Sequence, residues 1–420
     1  MPAPSACRPI GRSSSTRWRW MTMRDGWRQV RLGDVASVTS SSVSTKSVDL
    51  PYIGLEHFDS GSPKITRGAR SAAMEGSGIL VYPGDVLFSK LRPYLNKVAV
   101  VQEAALCSTE VLVWRSNDPR VMVQDYLALV LRSDESVDYA NARSNGTRMP
   151  RTSAKVMSTF PLSLPPLADQ RRVVDLIAAV DDAIEAAEEE AERSNAASTQ
   201  MRTTLFAGLA DLPSVTASEK FDMLLGRQKS ARQSVGDHVI PYVRSGNLGS
   251  GNVAGALHSM NFSPAEQTKY GLQDGDVLLA EGGTVGASAR WHQDDSSVVG
   301  FDKHVIRLRG VPGVSTSDFA HEWVRDANAS GVFEKAATGI TIRALGFGRA
   351  SALPVPDADL PTQDRIAAVL MPFDGAADAA RATASALRTL RSNLLTVLLS
   401  GEHEIPSSYD QLLSGEETAA

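Results

Sequence analysis

The sequence predicts an α+β protein in which two globular modules alternate with two long helices. The first observation behind this prediction is a segment that recurs 193 residues further along the chain. The second is a helical spacing of small and apolar residues over about 40 residues in each copy. The third is length, because 420 residues exceed what one ordinary core accommodates. We expect the two helices to pair and to give the chain an internal pseudo-twofold repeat.

The repeat keeps a constant offset over its helical part. The stretch "SLPPLADQRRVVDLIAAVDDAI" from Ser163 is answered by "DADLPTQDRIAAVLMPFDGAA" from Asp357. Upstream, "PYIGLEHFDSG" from Pro51 resembles "PYVRSGNLGSG" from Pro241 at an offset of 190, the drift that loop insertions in a duplicated unit produce. The residues that mark the register are Leu167, Gln170, Arg172, Asp181, Leu205 and Gly208, which match Leu360, Gln363, Arg365, Asp374, Leu398 and Gly401.

The repeat also predicts where the segments of the chain begin and end. The first 22 residues are rich in Arg and Ser and lack acidic residues, so we expect a disordered leader or an over-extended gene start, with the true start at Met21 or Met23. The predicted segments are the leader 1–22, the first module 23–165, the first helical spacer 166–210, the second module 211–356, the second helical spacer 357–403 and an acidic tail 404–420.

Each helical spacer carries a seam of small and apolar residues at steps of four and three, as in a coiled coil. A helix of about 40 residues is roughly 60 Å long, so its natural partner is the other copy rather than the core of a small domain. Pro372, inside the second copy, predicts a kink or a break. The seam residues are Val173, Ile177, Val180, Ile184, Ala187, Ala191, Ser194, Ser198, Met201 and Leu205, then Ile366, Leu370, Phe373, Ala377, Ala380, Ala384, Leu387, Arg391, Leu394 and Leu398.

The modules between the helices are predicted to be mainly strand with some helix. Branched apolar residues bounded by turn residues predict strands at "SGILVYPGDVLFSKL", "LNKVAVV" and "STEVLVWR" in the first module. The same texture occurs at "GDVLLAEGG", "SVVGF" and "KHVIRLRG" in the second. One helix is expected in each module, at "VQDYLALVLRS" and at "DFAHEWVRDANAS".

Composition excludes several classes of protein. With 42% hydrophobic and 22% charged residues the chain is typical of a globular protein, and no apolar run approaches the twenty residues of a membrane span. Cys7 and Cys107 are too few for a disulfide framework, which favours a reducing, cytoplasmic location. Neither cysteine has Cys or His neighbours at zinc-ligand spacing, so no metal site is expected.

Charge is distributed unevenly along the chain. Residues 1–165 carry 21 basic and 14 acidic side chains, whereas residues 166–210 carry 4 and 9 and residues 357–420 carry 4 and 10. Residues 211–356 are nearly balanced, with 14 basic and 15 acidic side chains. Charge therefore permits contact of the modules with nucleic acid without requiring it.

Two loops of the first module, "SKLRPYLNK" and "ARSNGTRMPRTSAK", concentrate residue types that bind DNA. Arg and Lys bond phosphates and guanine edges, whereas Asn and Thr bond adenine or backbone oxygens. Each residue alone is equally well explained as a solvated surface group, and it is the clustering that favours DNA. The candidates are Lys90, Arg92, Asn96, Lys97, Arg143, Asn145, Thr147, Arg148 and Arg151, with Arg244, Asn247, Lys303, Thr341 and Arg343 in the second module.

Together these features resemble the DNA-specificity subunit of type I restriction-modification systems. The resemblance rests on "LPPLADQRRVV" leading into a helix that ends "LFAGL", on "LPTQDRIAAVL" ending "LLSGE", on "YPGDVLFSKLRPYLNKVAV", on "WRQVRLGDVASV" and on "SNGTRMPRTS". These motifs span most of residues 27–403. The second module departs from the pattern: it lacks a clear "LGDV" opening and has "LLAEGGTVG" where the first has "LFSKLRPYL", and its helix carries Pro372 and Arg391.

The resemblance implies a fold, partners and a role for each segment. The modules would be two target-recognition domains, each reading half of a split site in double-stranded DNA, held by two helices that pack antiparallel. Two methyltransferase (modification) subunits would dock largely on the helical regions, and restriction/translocase subunits would join them. S-adenosylmethionine, ATP and Mg²⁺ would belong to those partners, with no cofactor in this chain. The docking candidates are Gln170, Arg171, Arg172, Gln363 and Arg365.

Two other classes of function remain as alternatives. A combined methyltransferase or nuclease would show activity with the purified chain alone, yet the sequence has no "GxxxxGK[ST]" phosphate loop and no Asn-Pro-Pro tetrapeptide. His304 in "FDKHVIRL" is predicted to be a strand residue rather than a catalytic base. A coiled-coil adaptor would show no sequence-specific DNA binding even with methyltransferase partners present. The prediction is a non-catalytic specificity subunit.

Overall fold

The computed structural model describes residues 26–66, 68–71, 75–228, 236–293, 297–339 and 343–410. The chain forms two compact units, which we name unit 1 (Met1–Ile184 with Ser385–Ala420) and unit 2 (Glu185–Ala384). The predicted leader over 1–22 lies outside the described residues. None of the helices within the described ranges is long and apolar enough to cross a membrane.

Unit 1 combines short strands with helices of very different lengths. Its strands are β1 (Arg28–Arg31), β2 (Ala36–Thr39), β3 (Ser42–Ser44), β4 (Tyr52–Ile53), β5 (Ser77–Val81), β6 (Val86–Ser89), β7 (Val98–Val100), β8 (Ala105–Ser108), β9 (Val111–Ser116) and β10 (Pro161–Leu164). Its helices are α1 (Leu32–Val35), α2 (Gln124–Arg132), α3 (Asp134–Ala142), α4 (Ala154–Met157), the first part of α5 (Leu167–Ala207) and the last part of α11 (Leu360–Ser400). Short 3₁₀ helices cover Thr45–Ser47, Leu55–His57 and Pro93–Leu95.

The strands of unit 1 form two four-stranded sheets and a ribbon. One sheet has the order β2-β9-β6-β7 and the other β3-β5-β8-β4, while β1 pairs antiparallel with β10. The first sheet separates two apolar cores, because Phe88 and Trp114 face the core that includes α2 whereas Leu87 and Val113 face the other. Alternation along a strand that is buried on both faces explains why the predicted strands are almost continuously apolar.

Unit 2 repeats this plan. Its strands are β11 (Ser214–Thr216), β12 (Phe221–Leu225), β13 (Val239–Val243), β14 (Ser250–Asn252), β15 (His258–Asn261), β16 (Val277–Ala280), β17 (Ser288–Arg290), β18 (Gly300–Phe301), β19 (Val305–Gly310) and β20 (Pro354–Pro356). Its helices are the last part of α5, α6 (Ala217–Lys220), α7 (Pro264–Tyr270), α8 (Ser317–Ala329), α9 (Val332–Ala336), α10 (Phe347–Ser351) and the first part of α11 (Leu360–Ser400), with a 3₁₀ helix at Ser245–Asn247. The sheets have the orders β12-β19-β16-β17-β14, β15-β13-β18 and β11-β20.

The second module begins with the same strand–helix–strand order as the first, although its sequence lacks a clear "LGDV" motif. In unit 1 β1 leads through α1 into β2, and in unit 2 β11 leads through α6 into β12. Both short helices receive an acidic cap, because Asp34 accepts from Arg31 N at 2.9 Å and Glu219 accepts from Thr216 N at 2.8 Å. A carboxylate three residues past the cap satisfies a free amide at a helix start. The residues "TASEK" therefore form the same kind of capped helical turn as "RLGDV", although the two segments share only the acidic residue.

The helical seam predicted from the sequence is confirmed within each unit. In unit 1 Val173 and Ile177 near the start of α5 share a core with Leu395 and Leu398 near the end of α11, so the two helices run antiparallel there. In unit 2 Phe206 near the end of α5 shares a core with Ile366 and Leu370 near the start of α11. The predicted seam positions are buried or half-buried throughout.

The polar seam residues are explained by cross-helix contacts. Arg391, which interrupts the apolar pattern of α11, bonds Asp181 of α5 through two guanidinium contacts, one of them at 3.0 Å. In unit 2 Ser198 Oγ of α5 donates to Asp374 Oδ1 of α11 at 2.8 Å. Asp181 and Asp374 are one of the pairs that mark the repeat, so each unit places the same aspartate across the helix pair.

Of the kink or break predicted at Pro372, the break does not occur. Helix α11 runs without interruption from Leu360 to Ser400 through the proline. Pro372 is exposed, as is Ala368 one turn earlier, so water can reach the carbonyl that loses its amide partner. The penalty of an interior proline is smallest on such a face.

Candidate nucleic-acid interface

The two candidate loops of unit 1 lie side by side. The first connects β6 to β7 and the second connects α3 to α4, so they are more than forty residues apart in sequence. Arg92 N donates to Pro150 O at 2.8 Å and Thr152 N donates to Lys90 O at 3.0 Å. Leu91 and Arg151 form an antiparallel bridge between these bonds. We name the two segments, residues 90–97 and 143–152, the loop pair of unit 1.

The first loop holds an unusual backbone conformation. Arg92 and Asn96 have left-handed φ values of 50° and 45° although neither is glycine. Such residues cost on the order of 1–3 kcal/mol each and persist where the surroundings fix them. Leu95 N donates to Arg92 O and Asn96 N donates to Pro93 O, both at 2.9 Å. Arg92 is therefore presented from a braced turn rather than from a mobile loop.

Several predicted residues brace the loop pair. Asn96 Nδ2 donates to Arg132 O at 2.9 Å, and Lys97 Nζ donates to Leu55 O at 2.7 Å. Lys90 Nζ bonds Thr109 O, and Arg151 Nε bonds Glu110 Oε2 at 2.9 Å. The nitrogen donors of these four side chains are thus engaged inside the unit.

The remaining predicted residues are displayed on the surface. Arg92, Asn145, Thr147 and Arg148 are exposed, and their side chains make no hydrogen bond or ion pair with the described residues. Arg143 is exposed too, with its guanidinium 3.7 Å from the centre of the Tyr139 ring. Stacking of this kind orients an arginine without using its donors. The loop pair therefore offers free arginine, asparagine and threonine groups at one place.

Two apolar side chains of this surface escaped the sequence prediction. Tyr94 is 52% exposed and Met149 is 44% exposed, and they belong to the two loops that the backbone bonds join. Exposed aromatic and apolar groups beside arginines are suited to stacking on or wedging between bases. The signal in the sequence was the proline next to each of them, since Pro93 and Pro150 fix turns that hold a side chain outward.

Unit 2 contains an equivalent loop pair. Gly283 N donates to Arg343 O at 3.2 Å and Leu345 N donates to Glu281 O at 2.9 Å. Gly282 and Ala344 form the antiparallel bridge that corresponds to Leu91 and Arg151. We name residues 281–288 and 337–345 the loop pair of unit 2, of which residues 340–342 lie outside the described ranges. The close glycines of "GGTVG" thus occupy the position of "LRPYL".

The predicted DNA-binding side chains of unit 2 are less accessible to a ligand than those of unit 1. Asn247 is buried: its Nδ2 donates to Ala254 O at 2.9 Å and its Oδ1 accepts from Arg244 N at 3.1 Å. This amide closes a turn and is not presented to a ligand, contrary to the expectation. Arg343 is ion-paired with Glu334, and Arg244 is half-buried. Lys303 is exposed, whereas Thr341 lies outside the described residues.

The residues expected to dock partners divide into two groups. Arg171 and Arg365 are exposed on the second turns of α5 and α11, and Arg172 bonds both Asp169 at 2.9 Å and Asp410 at 2.6 Å. Gln170 and Gln363 are fully buried and hydrogen-bonded within their own units. The two glutamines therefore have no surface to offer a partner, and their role is internal.

A cavity of about 970 Å³ in unit 2 is lined by α5, α8, α11 and the nearby loops. It contains His321, Glu322 and Asp374, whose donor atoms lie within 4.8 Å of one another. Both carboxylates already bond arginines, Glu322 with Arg202 at 2.7 Å and Asp374 with Arg325. Burial, with Arg325 next, lowers the pKa of His321 to about 3. The arginines balance this donor set electrically, which favours a structural ion network over a metal site.

Comparison with known proteins gives consistent results for sequence and for fold. Residues 24–193 match the family model described as Type I restriction modification DNA specificity domain. The EcoDI specificity subunit of Escherichia coli is 25% identical over 221 residues, 49% of this chain and 47% of that protein. The MjaVIII specificity subunit of Methanocaldococcus jannaschii is 23% identical over 188 residues, 43% of this chain and 42% of that protein. The matched part thus spans less than half the length of these relatives.

Solved structures resemble the chain over nearly its whole length. The type I restriction-modification S subunit from M. genitalium has a TM-score of 0.57 at 12% identity, covering 92% of this chain and 99% of that one. A second solved chain comes from a structural study of complex assembly and conformational transition of the type I R-M system. It has a TM-score of 0.57 at 20% identity, and the match covers 90% of this chain and 99% of that one. At identities this low, the similarity shows that the fold is shared and shows nothing more.

The duplicated module with its long helix therefore defines the class as the α+β fold of S subunits, as the sequence predicted. The sequence of this chain is similar to those of DNA-specificity subunits of type I restriction-modification systems, and the resemblance found in its motifs is confirmed. The curated relatives that this chain matches are specificity subunits, the class that the sequence predicted.

Proposed function

We propose that this chain selects the DNA sequence for a type I restriction-modification complex, with the loop pair of each unit reading one half of a bipartite site. The recurrence of the loop pair in both units carries the proposal. In unit 1 Arg92 and Arg148 have the free donor groups that bond guanine edges or phosphates, and exposed Asn145 suits adenine. The recognition domains are proposed to cover 23–165 and 211–356, with 166–210 and 357–403 as the helical spacers.

The antiparallel helix seam supports a second element of the proposal, that the helices set the distance between half-sites. A helix transmits a fixed length, whereas a flexible linker does not. Two methyltransferase subunits would dock on the helical spacers, where Arg171 and Arg365 are exposed, and restriction/translocase subunits would join them. S-adenosylmethionine, ATP and Mg²⁺ would then be bound by those partners.

The proposal is tested by co-expressing the chain with the methyltransferase encoded beside its gene, in a host without other DNA methylation. Modified adenines are then mapped across the genome by long-read sequencing. A motif of two short defined blocks around a constant unspecified gap is the expected result. Modification without such a motif, or a soluble complex that modifies nothing, would contradict the assignment and favour an adaptor.

Arg92→Ala and Arg148→Ala are each expected to weaken DNA binding by about 1–3 kcal/mol where the arginine grips a base through two bonds. The affinity is measured by titrating the methyltransferase complex into a labelled duplex that carries the mapped motif. Arg120→Ala is the control, because Arg120 is an exposed arginine of the same unit that bonds only Asp118. Unchanged affinity in both loop variants would remove the loop pair from the interface.

Insertion of one heptad into each long helix is expected to change the gap and to leave the bases of both half-sites unchanged. Seven residues lengthen a helix by roughly 10 Å, which corresponds to about three base pairs, and they preserve the seam because its period is seven. The measurement is the same genome-wide map. Altered half-site bases at an unaltered gap would show that the helices do not act as the spacer.

A further inference from the structure

Gln170 and Gln363 make the same three hydrogen bonds in the two units. Each is the fourth residue of its long helix, and each is completely buried. Gln170 Oε1 accepts from Val123 N at 2.8 Å, while its Nε2 donates to the carbonyls of Val121 and Pro165, both at 2.9 Å.

The amide of Gln363 repeats this pattern with partners 193 residues later. Its Oε1 accepts from Thr316 N at 3.0 Å, and its Nε2 donates to Val314 O at 2.9 Å and Ala358 O at 2.8 Å. Every donor and acceptor of the first set thus has its counterpart in the second. The backbone groups are the same in kind even where the side chains differ, as at Val123 and Thr316.

These bonds join three separate segments of each unit. Val123 and Thr316 are the capping residues that precede α2 and α8, the main helices of the modules. Pro165 and Ala358 lie between the last strand of each module and its long helix. In each unit one glutamine side chain therefore links the long helix by hydrogen bonds to two places. One is the start of α2 or α8, and the other is the segment that follows the last strand of the module.

Only the primary amides of glutamine and asparagine carry the groups that this joint needs, and glutamine is the longer of the two. The joint requires one acceptor and two donors from a single planar group, which is the inventory of a primary amide. A glutamate at this place lacks donors and buries a charge, and an apolar residue leaves one amide and two carbonyls buried without partners. The requirement explains why glutamine occupies both places.

We propose that Gln170 and Gln363 are positioning residues that fix the orientation of each recognition module on its long helix, and thereby the gap length that the complex accepts. The inference rests on the proposed function. This positioning role requires no contact of either glutamine with DNA. With the three bonds removed, the module can rotate about its connections to the helix, and half-sites at neighbouring gap lengths become accessible to the same loop pair.

The experiment uses the full chain in complex with its methyltransferase and a set of duplexes that differ only in the gap between the mapped half-sites. The rate of methylation is measured at the native gap and at gaps one base pair shorter and longer. Gln363→Met and Gln170→Met retain side-chain size and remove the bonds. We expect each to reduce the preference for the native gap by about tenfold, the factor that corresponds to 1.4 kcal/mol, with unchanged half-site bases.

The matched control is Leu278→Ala, which damages a buried core of unit 2 separate from the core that includes Ala358. A loss of stability alone lowers methylation by the same factor at every gap, and this is the expected result for the control. A wild-type gap profile in both glutamine variants would overturn the proposal. Should the methionine variants fail to fold, Gln363→Asn keeps an amide on a shorter side chain and is expected to broaden the profile in the same way; an unchanged profile there would overturn it.

Failure of the inference and failure of the proposed function give different results. A wild-type complex that shows no gapped motif removes the proposed function, and the inference with it. A wild-type complex with a sharp gap preference, accompanied by glutamine variants with the same preference, removes only the positioning role.

Discussion

Replacement of Arg202 by alanine is expected to lower the free energy of unfolding by about 3–5 kcal/mol, because it leaves a buried carboxylate without its partner. The Arg202 side chain is 2% exposed and its Nε bonds Glu322 Oε2 at 2.7 Å. Its second terminal nitrogen bonds Ser198 Oγ at 2.8 Å, so the same guanidinium reaches from α5 to α8 and to the helix seam. The measurement is urea unfolding of the purified chain, followed by circular dichroism.

The control for this variant is Arg193→Ala. Arg193 is an exposed arginine on the same helix whose ion pair with Glu190 is solvated, and pairs of that kind contribute about 0–1 kcal/mol. The double variant Arg202→Met with Glu322→Leu removes both charges and is expected to recover much of the loss. A single variant as stable as the wild type would show that the buried pair does not hold α5 to α8.

The loss caused by Arg202→Ala is expected to depend on pH. Burial raises the pKa of Glu322 above its ordinary value of 4.5, while Arg202 opposes that rise. A group whose folded pKa is raised stabilises the fold below its unfolded pKa, and this stabilisation is lost as pH rises through the folded pKa. Without Arg202 the folded pKa rises further, so the deficit relative to the wild type should be larger near pH 8 than near pH 5.

Trp114→Ala is expected to cost about 3–5 kcal/mol, the range for removing a large aromatic side chain from a packed core. Trp114 is fully buried on β9 and belongs to the core that α2 shares with Val173 of α5 and Leu395 of α11. The cavity left by the missing indole would therefore weaken the packing of the module of unit 1 and its contact with the two long helices. Urea unfolding measures the change, with Trp114→Phe expected to lose less because part of the volume remains.

The comparison variant for Trp114 is Tyr94→Ala. Tyr94 is half-exposed in the loop pair of unit 1, so its removal should leave the unfolding midpoint nearly unchanged. It should nevertheless weaken DNA binding if the ring stacks on a base, by about 1–3 kcal/mol. An equal loss of stability in both variants would mean that Tyr94 is part of the core and not of the binding surface.

The fold was largely predictable because it is encoded in periodicities. A seam at steps of three and four marks a helix face, and apolar runs between turn residues mark buried strands; both properties are local. The opening of the second module was missed because α6 and α1 share little more than a capping acid. Its signal was the acidic residue Glu219 three positions after Thr216, which is a weak pattern on its own.

The candidate site was predictable in composition but not in geometry. The residue types of both loops were evident, yet nothing local indicated that Arg92 N bonds Pro150 O or that Lys97 is engaged with Leu55. Asn247 was assigned to the DNA-binding surface and the two glutamines, through the family resemblance, to a docking surface, although each satisfies buried backbone groups. Whether an amide faces solvent or closes a joint depends on which distant segments surround it.

The sequence by itself determined the duplication, the length and seam of the two helices, the strand positions and the family resemblance, since all of these follow from spacing along the chain. Only the tertiary structure decided which polar residues are free. Arg391 and Asp181, and Arg202 and Glu322, meet across more than a hundred residues of chain, and a loop pair forms only when the sheet brings β6 and α4 together. Such pairings depend on packing, in which a buried polar group is paired with whichever segment lies nearest, and they leave no periodic trace in the sequence.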